Sequence, residues 1–488
     1  MTNEKSTSSI LVKLFALVSI CTLFQCLQED QFLTPSTSLT GTSEIAGVTT
    51  TSAATLASCG CTFTVPSNSY LVDGAALALK PGSVICLSAG NVYKNILFRN
   101  IKGTALAPIT IKNCGGSVNV GGTVNADGTV NVTGTGRTYT IKAENSQFFR
   151  ITGGNGTTNG IRIIGGHQGI ALELFTSNFE VDHVEISHTG FAGIMAKTNP
   201  TCDDATIRGN FVMRNVLIHD NYIHDTGGEG LYIGSSFYAN GQTTPCGVRM
   251  PHIIEGVNIY NNFIKNSGWE SIQVGSAPIG AEVYNNRIEN YGVLNVTYQN
   301  NGVQFGEGAP GKFYGNLIKG GKGKGLILIG NAENFVHDNV IINAGTDGIF
   351  CDERTAVGSG FKFINNTIIN PGTNGITIYA ETVPMNHVVN NIIVNPGNYS
   401  KLVYPRTANE AYIYLLSKTT KLTNTNNIFT TDINSVKFVS PSAFNYDLTS
   451  TSPAVEKGAN IAAYNVLVDF IMQPRLKGAA YDIGAHEF

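Results

Sequence analysis

The chain has 488 residues, 13% of them charged, and a net charge of −3. Charge is well below the usual quarter, and no basic footprint argues for a nucleic-acid partner. Length alone suggests about three domains, but the internal repeat described below replaces that expectation with one elongated domain and terminal appendages.

Residues 1–26 read as an export signal. Lys5 and Lys13 precede the apolar run Leu14 to Phe24, which is too short to span a membrane and suits a signal core. Leu23-Phe-Gln-Cys26 with Glu29 and Asp30 resembles the lipoprotein box and acidic tag of surface lipoproteins of Bacteroidetes, with Gln25 where a small residue is expected. The resemblance implies lipidation at Cys26 and a cell-surface, outer-membrane location; cleavage without a lipid, giving a secreted protein, is the alternative. Residues 27–57 are rich in Ser and Thr and read as a flexible tether.

Seven cysteines follow Cys26, and in an exported protein they can pair. Cys202 and Cys246 both fall in long polar insertions and are expected to bridge. Cys59, Cys61, Cys86 and Cys114 cluster near the N-terminal end with open connectivity, and Cys351 sits at an apolar strand position as a buried thiol. No metal-ligand spacing is present among them.

Asp73 to Lys80 reads as a short helix capped by Asp73 and stopped by Pro81-Gly82, a lid for the open end of a solenoid. Pro81 to Gly90, Tyr93 and Ile101 to Lys112 then resemble the opening coils of secreted right-handed β-helix proteins, including the alginate lyase and chondroitinase B family. That resemblance implies an all-β, right-handed parallel β-helix of the pectate lyase-like kind. It brings no catalytic pattern: the Asn/Glu/Glu calcium set and the Lys and Arg that follow it in the family are missing. Calcium dependence therefore stays open, and no cofactor is assigned.

The stretch 221–397 repeats. Asn-x-Ile-x-x-x-Gly occurs at Asn221, Asn262, Asn286, Asn339, Asn366 and Asn391, and Asn316-Leu-Ile318 fits with Lys322 in place of glycine. Each unit carries short runs with period two, such as Gly230-Leu-Tyr-Ile233 and Val257-Asn-Ile-Tyr260, and none carries a sustained helical period. Strands this short bury an apolar face only when stacked, so each repeat is one coil. The Asn rows, including a second row at Asp225, Asn266, Asn290, Asn343, Asn370 and Asn395, are expected to form ladders in the turns.

Two insertions interrupt consecutive coils, at 197–208 and 235–252. Long loops in a compact repeat usually carry function, here as walls of a groove. Aligning the repeats puts Glu229 and Glu270 on neighbouring coils, about 4.8 Å apart, as a proton-sharing pair, a cation site or two solvated turn residues. Glu229, Glu270, His224, Lys197 and Arg249 are the expected catalytic set: carboxylates, a proton shuttle and cations for a substrate anion. Trp269 is expected to stack on sugar, with Tyr232, His252 and Arg208 as further substrate contacts. His183, His188 and His219 crowd the same segment. Asp347, Asp352, Glu353 and Arg354 are the second choice.

Phe444 to Leu448, Ser452 to Gly458 and Tyr481 to Phe488 resemble the closing segment of such Bacteroidetes proteins. The division is signal 1–26, tether 27–57, β-helix 58–440 and C-terminal cap 441–488, with His486 and Glu487 in a structural role. The leading functional expectation is an exported, monomeric, carbohydrate-active protein, a lyase or glycoside hydrolase with a polysaccharide as partner. The alternative is a non-catalytic carbohydrate-binding or cell-surface structural protein, motivated by the missing catalytic signature.

Overall fold

A computed structural model describes residues 59–488 apart from 134–135, 155–158, 355–357 and 398–407. The signal, the tether and Cys26 lie outside the described residues. Within them the chain winds through three parallel sheets of 13, 12 and 12 strands, each strand pairing with its counterpart one coil away. In one coil, Val212–His219 belongs to the first sheet, Tyr222–His224 to the second and Leu231–Ile233 to the third. Alternation decides what points inward: Ile218, Ile223, Leu231 and Ile233 are buried in one continuous core. This is an all-β parallel β-helix.

The corners explain the asparagines. Asp220, Asn261, Asn285, Asp338, Asn365, Asn390 and Asn426 all take left-handed backbone between the first and second sheets. The next residue is the ladder asparagine. Asn221, Asn262, Asn286, Asn316, Asn339, Asn366 and Asn391 each pass an amide hydrogen to the next side chain's oxygen at 2.9–3.0 Å, and the ladder ends on Asn427 as acceptor. The same oxygens accept backbone N–H groups, as Asn316 does from Asn286 at 2.9 Å. The turn thus satisfies its buried polar groups without water. The second row forms too: Asn266 donates to Asp225 at 2.8 Å and Asn290 to Asn266 at 2.8 Å. Asp225 is therefore a ladder residue. Asn316→Ala leaves the Asn286 N–H and amide without their acceptor, so an expected loss of about 2–4 kcal/mol should appear as a lower urea midpoint with an unchanged circular dichroism spectrum.

Glycine begins the third sheet because the coils touch there. A Cβ on Gly230 would lie 2.5 Å from the Ser271 carbonyl oxygen of the next coil.

Both ends differ from the sequence reading. Residues 73–80 form turns, not a helix. Leu71–Asp73 is a strand, and Asp73 accepts from the backbone of Ala75 at 2.9 Å and Ala76 at 3.2 Å, which closes a turn instead of starting a helix. The N-terminal end is pinned by Cys59–Cys114 and Cys61–Cys86, with Cα separations of 5.9 and 5.7 Å. Cys351 is a buried free thiol, as expected.

The C-terminal segment covers the side of the solenoid. Val340, Ile342, Ile369, Ile392 and Val394 face outward from the second sheet and pack under Val436, Phe438, Tyr446 and Ile483. Ile364 and Val389 of the first sheet pack under Ile461 and Val466. The late coils are thus apolar on both faces. The segment is held by Arg475, which donates to Asp338, to Glu487 at 2.9 Å and to the carbonyls of Gly484 and Ala485 at 2.9 and 3.0 Å. His486 and Glu487 belong to this clasp, in the structural role expected of them.

Candidate functional site

The third sheet presents Met195, Tyr232, Gln273, Gln304, Ile327 and Phe350 outward in one row, one residue per coil. Beside it runs the row that contains Glu229 and Glu270. The register is visible in a later coil, where Asn374 Nδ2 lies 3.1 Å from Thr377 Oγ1. It sets Glu229 beside Tyr232 and Glu270 beside Gln273. The carboxylates stand on consecutive coils, joined through the Gly230 N–H to Glu270 carbonyl bond of 3.0 Å.

Lys197 follows directly on the strand Ile194–Ala196, and its Nζ lies 4.2 Å from the centre of the Tyr232 ring. Relative exposure is 4% for Lys197, 1% for Tyr232 and 0% for both Glu229 and Glu270. These four ionisable side chains, which form a nest, are therefore buried on the outer side of three consecutive coils. Asn301 donates to Glu270 at 3.0 Å. The Tyr232 hydroxyl meets Ser236 Oγ at 3.1 Å, Gln273 donates to Ser236 at 2.8 Å, and Gln304 donates to Gln273 at 3.2 Å. This polar chain runs along the sheet from Tyr232; sequence reasoning missed Ser236, Gln273 and Gln304, although the strand parity of the two glutamines was readable.

Trp269 does not stand free in a groove. It packs edge-on against Phe191 at 5.5 Å, and Phe191 packs edge-on against Tyr232 at 5.9 Å. With Met195 these side chains form a small apolar cluster on the outer face.

The two insertions form a single wall. Cys202 and Cys246 are bridged with Cα atoms 5.5 Å apart, and Ile207 bridges to Pro251. Arg249 pairs with Asp204, and Arg208 donates to the carbonyls of Tyr238 at 2.7 Å and Pro251 at 3.3 Å while lying 4.0 Å over the Tyr238 ring. Both arginines thus join wall to wall instead of presenting cations to a substrate. His252 is buried: Nε2 accepts the Thr198 N–H at 2.9 Å and Nδ1 lies 2.9 Å from the Ile253 carbonyl. It too is a wall residue.

Burial, aided by Lys197 and opposed by the Ile253 carbonyl, pushes the His252 pKa down to about 4. Because the folded value lies below the unfolded one near 6.5, the unfolded wall binds more protons between those pH values. Stability from this group is complete above pH 6.5 and falls by about 3 kcal/mol as pH drops to 4. His219 and His224 shift the other way. The His252 contribution is therefore read by difference: the protection factors of the 235–252 amides, corrected for the intrinsic exchange rate at each pH, should fall with acid in the parent protein and flatten in His252→Gln.

His224 does not join Glu229. It faces outward from the second sheet, stacked on Tyr222 at 4.3 Å, with Nδ1 2.6 Å from Asp225 and Nε2 3.5 Å from Glu185. Burial opposes its charge, but the Glu185 and Asp225 carboxylates outweigh burial and raise its pKa. His183 and His188 take left-handed corner positions. His219 bonds Glu180 at 3.0 Å and Asp220 at 2.7 Å on the first sheet. Glu180, Asp182 and His219 lie within 4.8 Å of one another, as metal ligands would. The Arg150 guanidinium already lies 2.5 Å from Asp182 and 3.2 Å from Glu180, so these residues do not suit a cation.

The second-choice set separates as well. Asp347 accepts from Thr373 at 2.6 Å and Asn374 at 3.0 Å. Glu353 accepts backbone N–H groups of Glu381, Thr382 and Val383 at 3.0–3.2 Å. Asp352 and Arg354 form a partly exposed pair at 3.1 Å.

Residues 247–429 match the family model described as right handed beta helix region. With the three-sheet topology, this makes the chain an all-β, right-handed parallel β-helix. Similar solved structures include the pectate lyase Pel9A, at 15% identity and TM-score 0.46 over 88% of this chain and 96% of that one. A PL6 family polysaccharide lyase from Pseudopedobacter saltans is 13% identical with TM-score 0.39 over 77% and 95%. XylC, solved with xylose, is 12% identical with TM-score 0.43 over 85% and 98%. No curated protein matches the sequence.

Proposed function

We propose that the protein is an exported, surface-located polysaccharide-degrading enzyme, acting through Lys197, Tyr232, Glu229 and Glu270 on the outer face of the third sheet. The observation that carries this reading is the burial of all four on that face. Burying ionisable groups is costly, and such groups concentrate where chemistry needs shifted proton affinities. Neighbouring coils fill the Tyr232 row with Gln, Ile and Phe, so the helix stacks without a tyrosine at that position.

The arrangement suits β-elimination on a uronate chain. A base removes the proton from C5, the C–H electrons form the C4–C5 double bond, and the C4–O bond breaks with its pair leaving on oxygen. Lys197 answers the substrate carboxylate, the Tyr232 hydroxyl protonates the departing oxygen, and a carboxylate of the Glu pair takes the C5 proton. Hydrolysis is the second reading, favoured by carboxylates on consecutive coils, a spacing of about 5 Å that retaining enzymes use.

A polysaccharide panel, read for unsaturated-product absorbance and for new reducing ends, tests both. Absorbance with reducing ends means lyase, and reducing ends alone mean hydrolase. Binding with neither makes the protein a carbohydrate-binding module, and no interaction removes the carbohydrate reading.

A further inference from the structure

The stapled wall follows strands of the third sheet, so it stands at the edge where those strands end. A different insertion, residues 292–301, stands at the opposite edge, between Arg287–Tyr291 of the second sheet and Val303–Phe305 of the third. Its backbone is tied to the turn that carries Trp269 and Glu270. Gly292 N–H bonds the Trp269 carbonyl at 3.0 Å, Val293 bonds Ser267 at 3.0 Å and Leu294 bonds Gly268 at 3.1 Å. Yet the loop turns its apolar side chains to solvent: Leu294 is 60% exposed and Tyr298 is 49% exposed.

Three facts make this more than a loose loop. Asn301 links it to the nest, donating to Glu270 at 3.0 Å and to the Tyr298 carbonyl at 3.4 Å. The loop carries four amide side chains, Asn295, Gln299, Asn300 and Asn301, and no charged residue. Gln299 Oε1 is buried without a hydrogen-bond partner, which is uncommon for a carbonyl oxygen able to accept two bonds. Asn295 and Asn300 bond each other at 2.9 Å, which leaves Gln299, next to the exposed Tyr298, as the amide for a ligand; an aromatic ring with such an amide is chemistry for a pyranose, the ring taking the C–H face and the amide a hydroxyl group.

From this we infer that the 292–301 loop is a sugar-binding lip, with Tyr298 as the stacking platform and Leu294 beside it, holding one uncharged pyranose face of the substrate next to Glu270. Asn301 is a positioning residue that couples the lip to that carboxylate. The inference rests on the carbohydrate reading of the nest and adds its second wall.

Trp269 is the chain's only tryptophan, and its carbonyl anchors this loop. Its emission therefore reports on the lip. Oligosaccharides from the polysaccharide panel, titrated into the full chain, should shift that emission saturably. Tyr298→Ala should weaken binding about tenfold with the thermal midpoint unchanged, and Tyr298→Phe, which keeps the ring, should bind nearly as the parent does. Val248→Ala, exposed on the stapled wall, should bind as the parent does. If the parent binds and Tyr298→Ala binds equally well, the lip is wrong and the nest survives. If the parent binds no saccharide, both fail.

Discussion

Lys197→Met should lower turnover on the best panel substrate by about 10³-fold while leaving the protein folded. Methionine keeps an unbranched stem over the Tyr232 ring and removes only the charge and proton. The magnitude follows from what a positioned acid, base or neutralising cation supplies, about 10²–10⁴ in rate. Lys197→Arg separates the roles. Arginine keeps the charge but does not give up its proton, so near-parent activity identifies a carboxylate neutraliser, and loss as deep as Met identifies proton transfer by the lysine. Turnover within threefold of the parent in Lys197→Met would remove the nest as the active site. Binding measured alongside should persist, because the 292–301 lip is untouched.

The second large effect concerns stability. The Arg475 side chain is fully buried between Asp338 and Glu487, themselves 3% and 1% exposed at the side chain. Burial opposes its charge, but Asp338, Glu487 and Asp469 outweigh burial and raise its pKa. Arg475→Met leaves two buried carboxylates without their cation. Breaking such a pair from one side costs about 3–5 kcal/mol, which is a large part of a typical folding free energy. The loss should be local first: amide protection should fall in the second-sheet strands Val340–Ile342, Thr367–Ile369 and Ile392–Val394 before the earlier coils respond. Arg475→Met with the parent's urea midpoint and exchange pattern would mean that apolar packing alone holds the segment.

Much of the fold was legible because one residue type marked one backbone event. Each Asn-x-Ile placed a left-handed corner, a ladder amide and an inward isoleucine, and the stacked bonds from Asn221 to Asn427 follow that spacing. Cys202 and Cys246 were legible because both interruptions fall after consecutive coils. The site was legible only in part. The repeat register put Glu229 and Glu270 on consecutive coils, Lys197 was read only as a cation of the first insertion and Tyr232 only as a substrate contact, and His224 lies across a corner from Glu229. A coil changes direction within a few residues there, so closeness in sequence does not mean a shared face. Arg208 and Arg249 were unreadable for another reason: their partners, Tyr238, Pro251 and Asp204, lie on the other insertion, and no local pattern sets how two loops meet. The C-terminal cover did leave a signal. Arg287-Ile-Glu alternates, while Val340-Ile-Ile and Ile392-Ile-Val do not, and a strand without alternation is buried on both faces.

That two-sided burial gives the chain a direction in time. Early coils, with polar outer faces, are complete once the next coil stacks on them. The coils around Val340, Ile369 and Ile392 are not, because their outer cover includes Ile483, some 90–140 residues further along. A chain growing from its N-terminus therefore passes through a stage in which a finished solenoid wall displays a sticky apolar stripe with nothing to close it. The segment from Val436 to Ile483, made after those coils, acts as the latch on a structure that is otherwise already wound.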